Sequence, residues 1–191
     1  MNTLYIKNMV CSRCIRVVKE ELKSFGLEIV DVQLGKAVLT KQPPNMDKLN
    51  MRLKENGFEL LEDKNTKIVE SIKSAIIELI YSNRLEELSV NLSDYLSAQL
   101  GKDYTALSKL FSDVESITIE NFFIRHKVER VKEFMVYDEL NLSEISYRLG
   151  YSSVQHLSNQ FKKTTGLSPS HFKRSNRSRR PLDTLSTGKT L

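Results

Sequence analysis

The chain predicts an α+β fold: a small sheet with two helices in the first third, followed by a domain made only of helices. Three observations carry that reading. Up to residue 62 the apolar residues switch between a period of two and a helical period. From about residue 66 only the helical period remains. Within that helical stretch a single pattern occurs twice, displaced by 49 or 50 residues.

Leu4 and Ile6, alternating with Tyr5 and Lys7, mark a first strand. Ile15, Val18, Leu22 and Phe25 recur at helical spacing, and Gly26 ends that helix. Val30, Val32 and Leu34 alternate as a second strand. Gly35-Lys36 turns the chain into a third, Ala37-Val38-Leu39. Pro43-Pro44 is a break. Met46, Leu49 and Leu53 form a second helix closed at Asn56-Gly57, and Phe58, Leu60 and Leu61 form a last strand. The order is βαββαβ, that of a ferredoxin-like sandwich with both helices on one face of the sheet. This domain is placed at residues 1–63.

The helical domain is placed at 66–175. Ile68, Ile72, Ile76 and Leu79/Ile80 give one apolar face over 66–82. Further helices are expected at 92–100, 104–114, 118–137, 143–149, 153–165 and 169–175. Residues 176–191 lack periodicity and read as a disordered tail. The repeat runs through these helices. NLSD at 91–94 returns as NLSE at 141–144, LSAQLG at 96–101 as ISYRLG at 145–150, and LSKLF at 107–111 as LSNQF at 157–161. Ile117 pairs with Leu167 and Phe122 with Phe172. Two copies are too few for a solenoid and fit a duplicated supersecondary unit.

Charge is unevenly spread. The net charge is +5, but residues 130–191 carry eleven basic and five acidic residues, and 151–180 carry seven basic and none acidic. That asymmetry suggests a polyanion partner near the C-terminal end. The longest apolar runs, such as AIIELI at 75–80, are too short to span a bilayer, and MNTLYIK lacks the pattern of a signal peptide. The expected location is the cytoplasm, where Cys11 and Cys14 are expected as thiols or ligands rather than a structural disulfide. No Ser/His/Asp, carboxylate-pair or phosphate-loop constellation points to an enzyme.

Each repeated unit reads as a short helix, a turn through Gly101 or Gly150, and a second helix with two core residues four apart. This is a helix-turn-helix pattern, whose second helix can enter a DNA major groove. In the second unit the outer face would present Val154, Gln155, His156, Ser158, Asn159, Lys162 and Lys163. Gln and Asn can pair with adenine, Val can touch a thymine methyl, and the lysines would lie near phosphates. In the first unit Tyr104, Thr105, Ser108 and Lys109 face outward beside Asp113 and Glu115, so weaker binding is expected there. The helix at 118–137 would span about 30 Å, close to the spacing of successive major grooves. His156 is open to either a surface or a DNA-contact reading. A helical module that binds a protein partner is the alternative for the whole region.

The stretch LNLSEISYRLGYSSVQHLSNQFKKTTGLSPSHFKR, 140–174, resembles the second helix-turn-helix of the AraC/XylS family of bacterial transcriptional regulators. The matching positions are Ile145-Ser146, Gly150-Tyr151, Ser158, Phe161-Lys162-Lys163, Gly166, Ser168-Pro169, Phe172 and Lys173. The resemblance covers about 66–174 and implies a double-stranded DNA partner and work alongside the transcription machinery. The first unit departs from the family pattern: Ser116 stands where glycine is usual, and ITIENFF lacks the proline. No sugar-sensing barrel of the kind some AraC relatives carry is expected from these residues.

NMVCSRC, 8–14, lies between the first strand and the first helix. With the βαββαβ order it resembles the heavy-metal-associated domain, whose loop carries M-x-C-x-x-C; Asn8 replaces the usual preceding glycine. The resemblance implies Cys11 and Cys14 as thiolate ligands, with Met9 packed beneath the loop. Both sulfurs are expected to point outward, and the helix N-terminus with Arg13 or Arg16 would favour thiolate. Two thiolates suit Cu(I) or another soft metal, whereas a closed zinc site wants four ligands. Three readings stand: a regulatory metal clip, an inherited pair on a partner surface, or a thiol redox pair. A metal chaperone or buffer is the alternative function for the chain.

Overall fold

The structure, a computed structural model, describes residues 2–82, 85–86, 90–137 and 140–175. The tail at 176–191 lies outside the described residues. The chain divides into two compact units, Met1–Ala75 and Ile76–Leu191.

In the first unit the order is β1 (Asn2–Lys7), α1 (Ser12–Ser24), β2 (Ile29–Gln33), β3 (Lys36–Leu39), α2 (Met46–Glu55) and β4 (Glu59–Leu61). The sheet is antiparallel throughout, ordered β2-β3-β1-β4. Leu4 stands opposite Ala37 and Ile6 opposite Leu60, so alternate residues of three strands share one face. That face is covered by Val18 and Leu22 of α1 and Leu49 and Leu53 of α2, all fully buried. One strand differs from the sequence pattern. A bulge between Ile29 and Asp31 shifts the register of β2, so Ile29 and Val32 pack on the core while Val30 turns outward and is 49% exposed.

α3 (Lys64–Tyr81) contains the division between the units. Residues 72–77 are all buried, where a single apolar stripe was expected, and Lys73 reaches Glu70 at 3.8 Å. The second unit continues with α4 (Leu92–Leu100), α5 (Tyr104–Glu115), α6 (Ile119–Tyr137), α7 (Leu142–Arg148), α8 (Val154–Thr165) and α9 (Pro169–Ser175). Among the described residues no helix is long and apolar enough to cross a membrane.

The repeat seen in the sequence is a repeat of packing. Leu107 and Phe111 of α5 and Leu157 and Phe161 of α8 are all buried. Phe111 meets Phe122 edge-on at 5.5 Å and 68°, and fifty residues later Phe161 meets Phe172 at 5.5 Å and 71°. α6 is the central element: His126, Lys127, Val128 and Glu129 are buried in succession, a full turn enclosed on all sides. Such polar burial needs partners. Glu129 pairs with Lys132, and Lys127 lies over the rings of Tyr151 at 3.7 Å and Phe123 at 5.3 Å.

Candidate nucleic-acid interface

α5 and α8 are each held by a cap, a pair of core anchors and a left-handed end. Asp103 accepts from the Ala106 backbone N–H at 3.2 Å, and Ser153 from that of His156 at 3.0 Å. Caps of this kind stabilise by about 1 kcal/mol each. Gly166 ends α8 with φ 78°; Ser116 ends α5 in the same conformation at φ 57°, although it carries a side chain. The missing glycine of the first unit therefore leaves the geometry of α5 unchanged. Gly150, at φ 61°, makes the sharp turn before α8, where a Cβ would also come within 3.1 Å of the Leu85 carbonyl oxygen.

The outward side of α8 carries the residues expected of it. Gln155, His156, Asn159, Lys162 and Lys163 are exposed, and Val154 and Ser158 are half-buried at its margins. Two of them act as a pair. Gln155 Nε2 donates to Asn159 Oδ1 at 3.0 Å, one helical turn apart. What remains outward is an acceptor, Gln155 Oε1, beside a donor, the Asn159 amide group. That is the complement of adenine's major-groove edge, offered jointly by two side chains. Ser152 Oγ lies 3.0 Å from His156 Nδ1 and orients that ring at the start of the helix.

α5 shows the same side differently dressed. Thr105 and Lys109 are exposed and Ser108 is half-buried. Tyr104, at the position of Val154, is tied to α6 through a hydrogen bond to Glu120 Oε1. Desolvation, then that bond, raises the Tyr104 phenol pKa. For Glu120 desolvation acts upward, but hydrogen bonds from Tyr104, its own backbone and Thr118 outweigh it and hold the carboxyl below its ordinary range. A fixed carboxylate thus stands beside α5, with Asp113 and Glu115 further along.

Residues 96–175, from within α4 to the end of α9, match the family model of the helix-turn-helix domain. A curated relative, an uncharacterized HTH-type transcriptional regulator, YdiP, of Escherichia coli strain K12, is 28% identical over 99 residues. That alignment covers 52% of this chain and 32% of the relative, so the chain spans about a third of the relative's length. Among solved structures, the C-terminal domain of AraT, a response regulator from Geobacillus stearothermophilus, has the same fold at TM-score 0.50 and 22% identity, over 59% of this chain and 88% of that one. A DNA-binding transcriptional dual regulator from Escherichia coli K-12 aligns with TM-score 0.46 and 16% identity over 56% of this chain and 94% of that one.

Two regions of the helix-turn-helix domain were not legible as site residues. The first is a cleft of about 450 Å³ between α6 and α8, lined by Asn121 and Arg125 of α6 and by His156, Asn159 and Lys163 of α8. The sequence assigned α6 only the role of a spacer. The second is the turn before α8. Tyr151 is buried edge-on to His156 at 5.5 Å and 89°, with Lys127 over its face. Burial lowers the Lys127 ammonium to about 8.

Cys11 and Cys14 lie outside the helix-turn-helix domain. Cys11 is the extended N-cap residue of α1 and Cys14 sits in its first turn, with the two sulfurs 3.4 Å apart and both half-buried. Met9 is fully buried, as the motif implies. The expected outward thiolates are corrected at one position: Cys14 packs against the apolar core, and burial pushes its thiol up, against ionisation. Among the described residues no group of three or more His, Cys, Asp or Glu side chains is placed to hold a metal ion. The pair therefore fits a soft ion held by two sulfurs and does not fit a four-ligand zinc site.

Proposed function

We propose that the chain is a sequence-specific, DNA-binding transcriptional regulator of AraC type, acting on duplex DNA in the cytoplasm alongside the transcription machinery. The observation that carries this reading is α8: capped, anchored, and presenting a Gln155–Asn159 acceptor-donor pair flanked by Lys162 and Lys163. Thr105, Ser108 and Lys109 of α5 make the weaker set of contacts. α6, about 28 Å long, spaces the two reading helices for successive major grooves. The test is selection of duplexes from a random pool by the full chain. One enriched motif is expected, with a log–log salt slope near −4 to −5 for about five phosphate contacts. Equal retention of every sequence would remove the claim of readout.

The first unit is read as a ferredoxin-like domain of heavy-metal-associated type at 1–63, joined to the helical domain at 66–175. Its order β1α1β2β3α2β4 and the M-x-C-x-x-C loop support that reading. Cys11 and Cys14 would hold one soft ion such as Cu(I), or form a redox couple, and tune DNA affinity. Operator affinity is to be measured for reduced, Cu(I)-loaded, disulfide and Cys11→Ser/Cys14→Ser forms. Linkage requires the factor by which metal alters DNA affinity to equal the factor by which DNA alters metal affinity. Four equal affinities would leave the pair without a role in DNA binding.

A further inference from the structure

The cleft between α6 and α8 has a one-sided chemistry. His156, Asn159 and Lys163 stand three, four and seven residues apart and form one stripe of α8. Asn121, Ile124 and Arg125 form the facing stripe of α6. No carboxylate is among the residues lining the space. Most of the polar groups lining the space can donate, and Gln160 and Thr164 add an amide and a hydroxyl that can also accept. Gln155 donates to the carbonyl oxygen of Asn159, and the Asn159 amide hydrogens are left to donate. When Ser152 donates to His156 Nδ1, the ring proton is on Nε2. Arg125 and Lys163 donate only. A carboxylate-free lining rich in donors, with Arg125 on one wall and Lys163 on the other, suits a ligand that accepts hydrogen bonds and carries negative charge, which is the chemistry of a phosphate.

The position of the cleft identifies which phosphate. Asn159 belongs both to the reading ridge of α8 and to the cleft wall. A helix lying in a major groove has the sugar–phosphate backbone along its flanks. We infer that this cleft seats one phosphodiester of the bound duplex, and that Arg125 makes α6 a DNA-contacting element as well as a spacer. The inference rests on the DNA-binding reading and adds a site to it.

The experiment uses the full chain and the duplex it selects from a random pool. Arg125→Ala is expected to weaken binding about tenfold and to lower the magnitude of the salt slope by about one, with Arg125→Lys recovering the slope. A set of duplexes, each with one phosphate replaced by neutral methylphosphonate, locates the contact. One position should cost the wild-type chain about tenfold and cost Arg125→Ala nothing further. Asn121→Ala, at an exposed position, should lose a fraction of the same effect. Unchanged affinity and slope for Arg125→Ala, or equal methylphosphonate losses in both chains, overturn the seat while leaving DNA binding intact. A wild-type chain that binds no duplex overturns the DNA reading and the seat together. Saturable binding of inorganic phosphate that depends on Arg125, with no sensitive methylphosphonate position, assigns the cleft to a free anion and overturns the duplex assignment.

Discussion

The two helix-turn-helix units share a frame and differ in what they wear. Both place a leucine and a phenylalanine four apart under the second helix, and both set that phenylalanine edge-on to another at 5.5 Å. Their surfaces diverge. α8 ends in Lys162 and Lys163, while α5 has no basic residue in its last turn and stands beside the Glu120 carboxylate. Even the entry helices differ by one methylene. Glu144 reaches back to the Asn141 N–H at 2.7 Å and closes a capping box, whereas the Asn91 side chain makes no cap and bonds Asp94 instead. Packing conserves the frame because buried volume is expensive to change; solvent-facing positions are free to take different chemistry.

The largest expected effect tests the shared frame. Phe111→Ala and Phe161→Ala should each destabilise by about 3–5 kcal/mol in denaturant unfolding, with the two losses similar. A large inequality would break the equivalence of the units.

Lys127 should separate them. It lies against Tyr151, whose counterpart after Gly101 is the exposed Lys102, so its effect belongs to the second unit alone. Its folded pKa, about 8, is below the ordinary 10.5. Below pH 8 the ammonium is charged in both states and burial is penalised. Between 8 and 10.5 the unfolded chain binds more protons, so stability rises with pH. Relative to Lys127→Met, the wild type should gain roughly 2–3 kcal/mol across that window. Parallel pH profiles for the two chains would show that Lys127 is not held in its buried position.

Readout should be unequal. Gln155→Ala and Asn159→Ala are each expected to lose about 1–3 kcal/mol of binding to the selected duplex. The double variant should lose less than their sum, since they form one hydrogen-bonded pair. Thr105→Ala should cost less than either. Additive losses would mean the pair opens on DNA.

The smallest effect sharpens the frame again. Ser116 adopts a left-handed conformation that disfavours a side chain, a strain its counterpart Gly166 does not carry. Ser116→Gly should stabilise by about 0.5–1 kcal/mol in thermal unfolding, and a loss would mean the serine hydroxyl holds the end of α5.

Much of this was legible because it rests on local chemistry and periodicity. The turns within the repeated units followed from Gly101 and Gly150, and the buried positions from the spacing of Leu107 and Phe111. What the sequence hid depends on contacts between elements. A lysine at 127 reads as solvent-facing until Tyr151 is placed against it. Val30 reads as core until the bulge turns it out. The Tyr104–Glu120 bond joins residues sixteen apart, and Arg125 lines a cleft with His156, Asn159 and Lys163 only because α6 packs against α8. The Gln155–Asn159 bond was within reach, since residues one turn apart on a helix meet.

The matching caps have a consequence for engineering. From Asp103 to Ser116 and from Ser153 to Gly166 the chain runs fourteen residues, with the core leucine at the fifth place and the phenylalanine at the ninth. Each stretch begins on a side-chain cap and ends on a left-handed residue, so both present the same sockets at either end. Such a stretch is a cartridge. Replacing residues 103–116 by the sequence of 153–166 should give a chain whose two reading helices ask for the same bases, turning an asymmetric target into a direct repeat.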